Sequence, residues 1–469
     1  MGTLNENGIG EVGFEMTDRA AGTEERTALA EEDTVVAADR YPAGSSGQAG
    51  AVANFVNTIV GAGIVGLPFA VAECGLWSGM FMLVLAAALT FKSTTMLITA
   101  GEKVSRLNYE ELMAESFGNA GIHAYSLFAG VLAFGAMSAY LVIVGDTVPQ
   151  IMLASGVTNG ALANRQSVIA IFGVLCMLPV SLLRDLSKLS FTSGISVMAD
   201  LLLTVIILAT ASGEARGNPD INRGEVATFI RPTIFAGFGA MSMAFVCQHS
   251  SFLVYRSMSQ RGVDRWKSVT RWSVGIALAM GMTLAIGGYL NFVNETQGNI
   301  TNNLSTESKP ASVARGFLAI TMVLTYPVEM YVARHVLDVS VFQTLRGKGP
   351  TTLVRHVLIT VSIWALTMFL AMSTDDLGLL LEIFGAIGAT AIGYILPPLL
   401  YLKTNGPEIR KARAAWIKDS PDYEPALAER LRAGREFVVP VLMLLFGILA
   451  MVAGLSTAMA GEISLTHAQ

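Results

Sequence analysis

The residues best suited to chemistry sit in one apolar stretch, Val52 to Pro68, where Gly61, Gly63, Gly66 and Pro68 fall within eight residues of one another. Glycine accepts non-helical dihedrals and proline lacks a backbone donor, so a helix built from this stretch is expected to unwind near Gly61 to Gly63. Unwinding frees N–H and C=O groups, and inside a bilayer these are tolerated only beside a ligand or a water-filled cavity. Asn57, one turn earlier, adds an amide that needs a partner at the same depth. Small residues in this pattern also suit close helix packing, which is the competing reading. Three carboxyls, Asp146, Glu329 and Glu382, also lie in apolar stretches. An isolated charge there costs about 2.5 kcal/mol or more, which makes each a functional candidate or a residue held by an internal partner.

The elements that must carry these residues follow from composition. With 52% hydrophobic and 14% charged residues, the chain departs from soluble domains, in which about a quarter of residues are charged. From Ala51 onward apolar stretches recur at about the twenty residues needed to cross a bilayer. Eleven spans are expected, at 51–73, 76–99, 121–153, 168–184, 189–211, 233–257, 271–292, 313–343, 356–373, 376–402 and 437–459. The fold class is therefore an all-α integral membrane protein. Residues 1–50 hold ten acidic and three basic residues and no apolar run. They read as a disordered tail rather than a signal peptide. Residues 51–459 form the membrane domain, with a charged helical connection at 403–436 too short to fold alone, and 460–469 are a short tail.

Charge sets the expected orientation. With the N-terminus in the cytosol, the cytosolic connections carry twenty Lys and Arg against five on the other side, Arg165, Arg216, Arg223, Arg231 and Lys309, in line with the positive-inside rule. The C-terminal tail then lies outside. Three glycosylation sequons, at Asn294, Asn299 and Asn303, fall in one connection on the non-cytosolic side; an unmodified polar loop is the alternative. Lys92 and Arg334, near cytosolic ends, are expected to snorkel. Cys74, Cys176 and Cys247 are too scattered for a metal or redox cluster. Metalloprotease, nucleophile-elbow and Walker motifs are absent from the sequence, as is any soluble catalytic domain. An enzyme, a seven-helix receptor and a nucleic-acid binder are therefore not expected.

The first-span pattern, Asn54, Asn57, Gly61-Ala62-Gly63, Gly66-Leu67-Pro68 and Ala70, resembles the signature of the amino acid/auxin permease family, near its sodium-coupled neutral and vacuolar amino-acid transporters. The likeness continues in Tyr140 to Asp146, Phe245-Val246-Cys247-Gln248, Tyr326-Pro327 with Arg334, Gly385 with Gly388, and Leu396-Pro397. It runs from Asn54 to Leu402. The resemblance implies a LeuT-type fold, with a first repeat at 51–211 inverted in a second at 233–402, one extra helix, and spans one and six broken around a central site.

By that resemblance the substrate is an amino acid. Its carboxylate would sit on the N–H groups of Gly61, Ala62 and Gly63, and its ammonium against carbonyls near Val60 and a second break between Ala244 and Gln248. Phe245, Gln248 and Tyr326 would face its side chain. Thr321 and Thr325, four apart on one helix face, offer hydroxyl oxygens suited to a hard cation, or bond back to their own helix carbonyls. Asn57 and Thr325 are the sodium candidates carried over from the family. Glu329, Glu382 and His249 are the candidates to carry a proton. The function expected is ion-coupled symport, with sodium or a proton as the coupling ion, no cofactor and no metal beyond that sodium. The protein is expected to act as a monomer in a plasma or vacuolar/lysosomal membrane. An amino-acid sensor that signals through its cytosolic tail is the alternative.

Overall fold

Backbone in hydrocarbon has no water to bond, so each apolar run must close its own hydrogen bonds, and helices do so within one segment. The computed structural model describes residues 41–42, 44–183, 201–211, 228–343, 352–417 and 427–466. The helices are α1 (Gln48–Ile59), α2 (Leu67–Cys74), α3 (Leu76–Lys103), α4 (Tyr109–Ala154), α5 (Arg165–Ser181), α6 (Leu201–Ala211), α7 (Ile234–Phe245), α8 (Gln248–Ser257), α9 (Val263–Phe292), α10 (Lys309–Leu337), α11 (Leu353–Ser373), α12 (Leu377–Phe384), α13 (Leu396–Ile417) and α14 (Leu427–Thr466). Two π-helical segments, Gly385–Ala389 and Ala391–Ile395, join α12 to α13.

Among the described residues seven helices are long and apolar enough to cross a membrane, and the bent pair around Gly61 brings the number to eight if it is one span. The fourth and fifth expected spans meet the shorter helices α5 and α6, and residues 189–200 lie outside the described residues. The sixth is divided into α7 and α8. The third is longer than expected because α4 starts at Tyr109. Gly118, at φ 62°, ψ −146°, separates residues 109–117 from the long span, a conformation that a residue with a Cβ rarely adopts. In the charged connection at 403–436, α13 reaches Ile417 and α14 starts at Leu427. Large apolar side chains such as Phe81, Leu366, Phe369 and Leu442 project outward, as lipid-facing residues do.

Structure begins before Ala51, where the acidic tail was expected to end. Tyr41 is buried, its hydroxyl donates to Glu111, its carbonyl accepts from Arg261, and the Arg256 guanidinium lies 5.6 Å from its ring centre. Ser46 pairs with the chain after α8: its N–H donates to the Ser257 carbonyl and its carbonyl accepts from the Ser259 N–H, both at 2.9 Å. Tyr41 and Ser46 thus tie the start of α1 to the end of α8. Residues 1–40 lie outside the described residues.

The opposite face is covered by residues 293–308. Arg315 of α10, fully buried, donates to the carbonyls of Thr301, Leu304 and Ser305 at 2.9, 2.6 and 3.2 Å. Asn302 donates to Asp146 and accepts from Gln150, both of α4. Arg334 does not snorkel: it is buried and donates to the Ser181 carbonyl at the end of α5 and to Thr360 of α11. Both arginines supply donors to carbonyls that no helix satisfies. Replacing Arg315 with Leu should therefore lower the thermal stability of the purified protein, since each buried carbonyl left dry costs about 1–3 kcal/mol. A melting temperature equal to wild type would count against this clamp.

Candidate functional site

The first break has a local cause at each residue. α1 ends at Val60 (φ −85°, ψ 60°), Gly61 is extended, and a 3₁₀ turn over Ala62–Gly66 leads into α2. Pro68 falls in the first turn of α2, where the missing N–H leaves no bond unmade. The two halves meet at 50°. The second break is shorter. α7 stops at Phe245, Val246 is extended and α8 begins at Gln248.

The breaks touch. A Cβ on Gly63 would come within 2.5 Å of the Ala244 Cα, so only glycine lets the two chains approach this closely. The first N–H groups of a helix and the last carbonyls of one have no intrahelical partner. Two sets of free donors, at the 3₁₀ turn and at α8, therefore lie beside two sets of free acceptors, at the ends of α1 and α7. Opposed helix ends favour an anion on one side and a cation on the other, which is the charge pattern of a zwitterion.

Gln248 holds the second break. Its Oε1 accepts from the Cys247 N–H at 3.0 Å and its Nε2 donates to Ser93 of α3 at 2.7 Å. Thr90 of α3 donates to the Phe245 carbonyl at 3.4 Å and stands 3.5 Å from the Tyr394 hydroxyl. Gln248 is thus committed to backbone and scaffold, whereas the sequence pattern pointed it at a substrate. Thr90, Ser93 and Tyr394 were not expected at the site. A signal existed for two of them, since Thr90, Ser93, Thr94 and Thr95 put four hydroxyls in six residues of an apolar span.

A match to the family described as transmembrane amino acid transporter protein spans residues 44–423. The chain belongs to that family. A zebrafish (Danio rerio) protein provisionally named sodium-coupled neutral amino acid transporter 11 is 33% identical over 78% of this chain and 81% of its own. Vacuolar amino acid transporter 2 of Saccharomyces cerevisiae is 27% identical over 79% and 78%. Among solved structures, Mhp1 in a closed conformation aligns at a TM-score of 0.52 and 14% identity over 91% of this chain and 94% of its own. MhsT in complex with L-phenylalanine aligns at 0.51 and 11% over 87% and 99%. The family is one of transporters rather than enzymes, and its proteins are multi-pass membrane proteins that carry amino acids.

The remaining candidates of this family member divide by position. Val60 and Phe245 are buried at the breaks, and Asn57 is half-buried one turn before the first. The Phe245 ring approaches Gly281 of α9. Tyr326 is turned away from the breaks: it is fully buried with its hydroxyl 2.7 Å from Thr367 of α11. Thr321 donates to the Phe317 carbonyl at 2.9 Å and Thr325 to the Thr321 carbonyl at 2.7 Å, the back-bonded arrangement. Each oxygen keeps its lone pairs. Glu329, one turn after Thr325, lies within electrostatic reach of Tyr140 of α4. His249, the second residue of α8, has a buried Nδ1 with no hydrogen-bond partner among the described residues. Glu382 is buried on α12 with its Oε1 in the same condition. Asp146 pairs with Arg165 at 3.0 Å.

The sequons differ as well. Asn294 is exposed, with its Oδ1 accepting from Arg231, and Asn303 is half-buried, donating to the Glu295 carbonyl. Asn299 is only 1% exposed and its Oδ1 caps Thr301, which leaves no room for a glycan on the folded loop.

Two glycines in one loop make opposite predictions. Gly63→Ala should abolish transport with the protein still present in the membrane, because the added carbon meets the Ala244 backbone. Gly61→Ala, whose Cβ meets nothing within 4 Å, should keep it. Equal loss in both, measured as amino-acid uptake normalised to protein, would contradict the contact. Tyr326→Phe should leave the KM within about twofold, since one net hydrogen bond remote from the breaks contributes only about 1 kcal/mol.

Proposed function

We propose that this chain is a secondary active transporter that couples the uptake of neutral amino acids to a cation, proton or sodium, by alternating access. The observation that carries this reading is the contact of two helix breaks at Gly63 and Ala244. Free backbone donors and acceptors at that depth suit the α-carboxylate and α-ammonium common to all amino acids. The apolar residues around the breaks favour an uncharged side chain. Similarity to Mhp1 and MhsT supports an arrangement of eleven spans as a 5+5 inverted repeat of LeuT type plus one. In this reading α1, α2, α7 and α8 move against the other helices, the N-terminus is cytosolic and a monomer suffices.

For a sodium-coupled cycle, Asn57, Thr321 and Thr325 are the proposed oxygen donors. Coupling is reciprocal, so a change at a coupling site must alter ion and substrate affinity together. Thr325→Val should weaken both by similar factors, and unchanged ion dependence in a stable variant argues against the site. The reading as a whole is tested by purified protein in liposomes given labelled neutral amino acids under a pH gradient and then a sodium gradient. Accumulation driven by either supports it, and binding without gradient-driven uptake displaces it in favour of a sensor. Of the sequons, Asn294 is the proposed glycan acceptor. Asn294→Gln should remove a glycosidase-sensitive mobility shift that Asn299→Gln leaves in place.

A further inference from the structure

Glu382 is the buried carboxyl whose surroundings are hardest to reconcile with a structural role. It lies on α12, is 6% exposed, and its Oε1 has no hydrogen-bond partner among the described residues. The charged groups that act on it are Glu73 of α2 and Asp376 at the start of α12, both acidic. Cys74 of α2, whose thiol donates to the Ile234 carbonyl, is within electrostatic reach of it. α7, the 3₁₀ turn and the first π-helical segment, which pack against α12, contain no titratable residue. α4 meets this region at Phe134 and Gly135, against Phe384. Its titratable residues nearest that contact in sequence are Tyr140 and Tyr125; Asp146, further along, is bound to Arg165. The packed stretch of α14, Phe437 to Ala460, has none. Of the described cations toward this end of the bundle, Arg165 is engaged with Asp146 and the carbonyls of Ala371 and Thr374, Arg231 with Asn294, and Arg315 with the carbonyls of Thr301, Leu304 and Ser305.

A carboxylate without donors and with acidic neighbours is disfavoured in a membrane span; a neutral carboxylic acid is not. The position of Glu382 gives that proton a use. The backbone of Glu382 lies against Gly239 of α7, where a Cβ would come within 2.7 Å of its carbonyl oxygen. On the other side Leu381 covers Gly66 of the 3₁₀ turn, and Phe69 of α2 covers Gly378. The carboxyl therefore sits in the joint between α12, the second half of the first break and the first half of the second, and any movement of α2 and α7 away from α12 admits water to it. Just beyond, the helix widens into the two π-helical segments, a distortion often found at functional positions.

We propose that Glu382 binds the proton that drives transport. Its carboxylate takes a proton from water on the side covered by residues 293–308 and becomes neutral, which permits the joint to close. The O–H bond breaks when the opposite side opens, and the proton passes to water there. One positive charge moves with each zwitterionic substrate. This inference rests on the transporter reading and selects the proton from its two coupling ions.

The test uses full-length protein in liposomes, with wild type, Glu382→Gln and Glu382→Asp compared under an imposed pH gradient and in exchange at equal pH. With one proton per amino acid, a gradient of about one pH unit supports about tenfold accumulation. Wild type should show it, Glu382→Gln should lose it while still exchanging labelled for unlabelled amino acid, and Glu382→Asp should keep it with a displaced pH profile. Gradient-driven accumulation by Glu382→Gln, a Glu382→Asp profile that coincides with wild type, or wild-type accumulation under sodium alone overturns the assignment. Wild type that neither accumulates nor exchanges overturns the transporter reading beneath it instead.

Discussion

The constraint on which the rest depends is that backbone polar groups in hydrocarbon must be paired inside the protein. An unbroken helix meets it without help. This chain interrupts two helices at the same place, around Gly61 to Gly63 and at Val246-Cys247, and so creates free donors and acceptors where none are normally tolerated. Other features near the breaks limit how many of those groups stay free. Gln248 takes the Cys247 N–H, Thr90 takes the Phe245 carbonyl, and proline sits where its lack of a donor has no consequence. The two breaks meet where Gly63 lies against Ala244.

The same rule explains polar residues far from the breaks. Arg315, Arg334 and Arg165 are cations in or near spans, and each donates to main-chain carbonyls at helix or loop ends. A guanidinium has five donors in a fixed fork and remains charged, which suits it to collect several carbonyls at once. Glu382 and His249 depart from this pattern, as Ser126 and Thr270 do, because each has a buried side-chain atom with no partner among the described residues.

Much of this architecture was legible in the residue order, for reasons that are local. Glycine and proline act on their own backbone, so the first break could be placed from Gly61, Gly63 and Pro68 alone, and apolar length located the long spans. Side-chain direction was less accessible. Tyr326 and Gln248 are polar residues in apolar runs, and nothing in their own neighbourhood says whether they face the breaks or another helix. The partners that decide this, Thr367 and Ser93, are 41 and 155 residues away. Arg334 was assigned to the water interface by its nearness to a span end, yet the carbonyl it serves is that of Ser181, 153 residues earlier. Asn299 matches a sequon as well as Asn294 does, and only the packing of the loop onto α4 and α10 separates them.

The contacts that close the two ends differ in kind from those in the middle. The chain before α1 is fastened at Tyr41 and Ser46, with Arg256 and Arg261, and residues 293–308 by Asn302, Gln150 and Arg315, all through hydrogen bonds or charge. Such contacts exchange for water at small net cost when an end opens, since a hydrogen bond to protein replaces one of similar strength to solvent. In the middle, Gly63 on Ala244 is a close van der Waals contact that water cannot imitate. The fold is therefore easier to open at its aqueous ends than at its centre. At that centre it is Gly63 that keeps the contact, because a Cβ there would meet the Ala244 backbone.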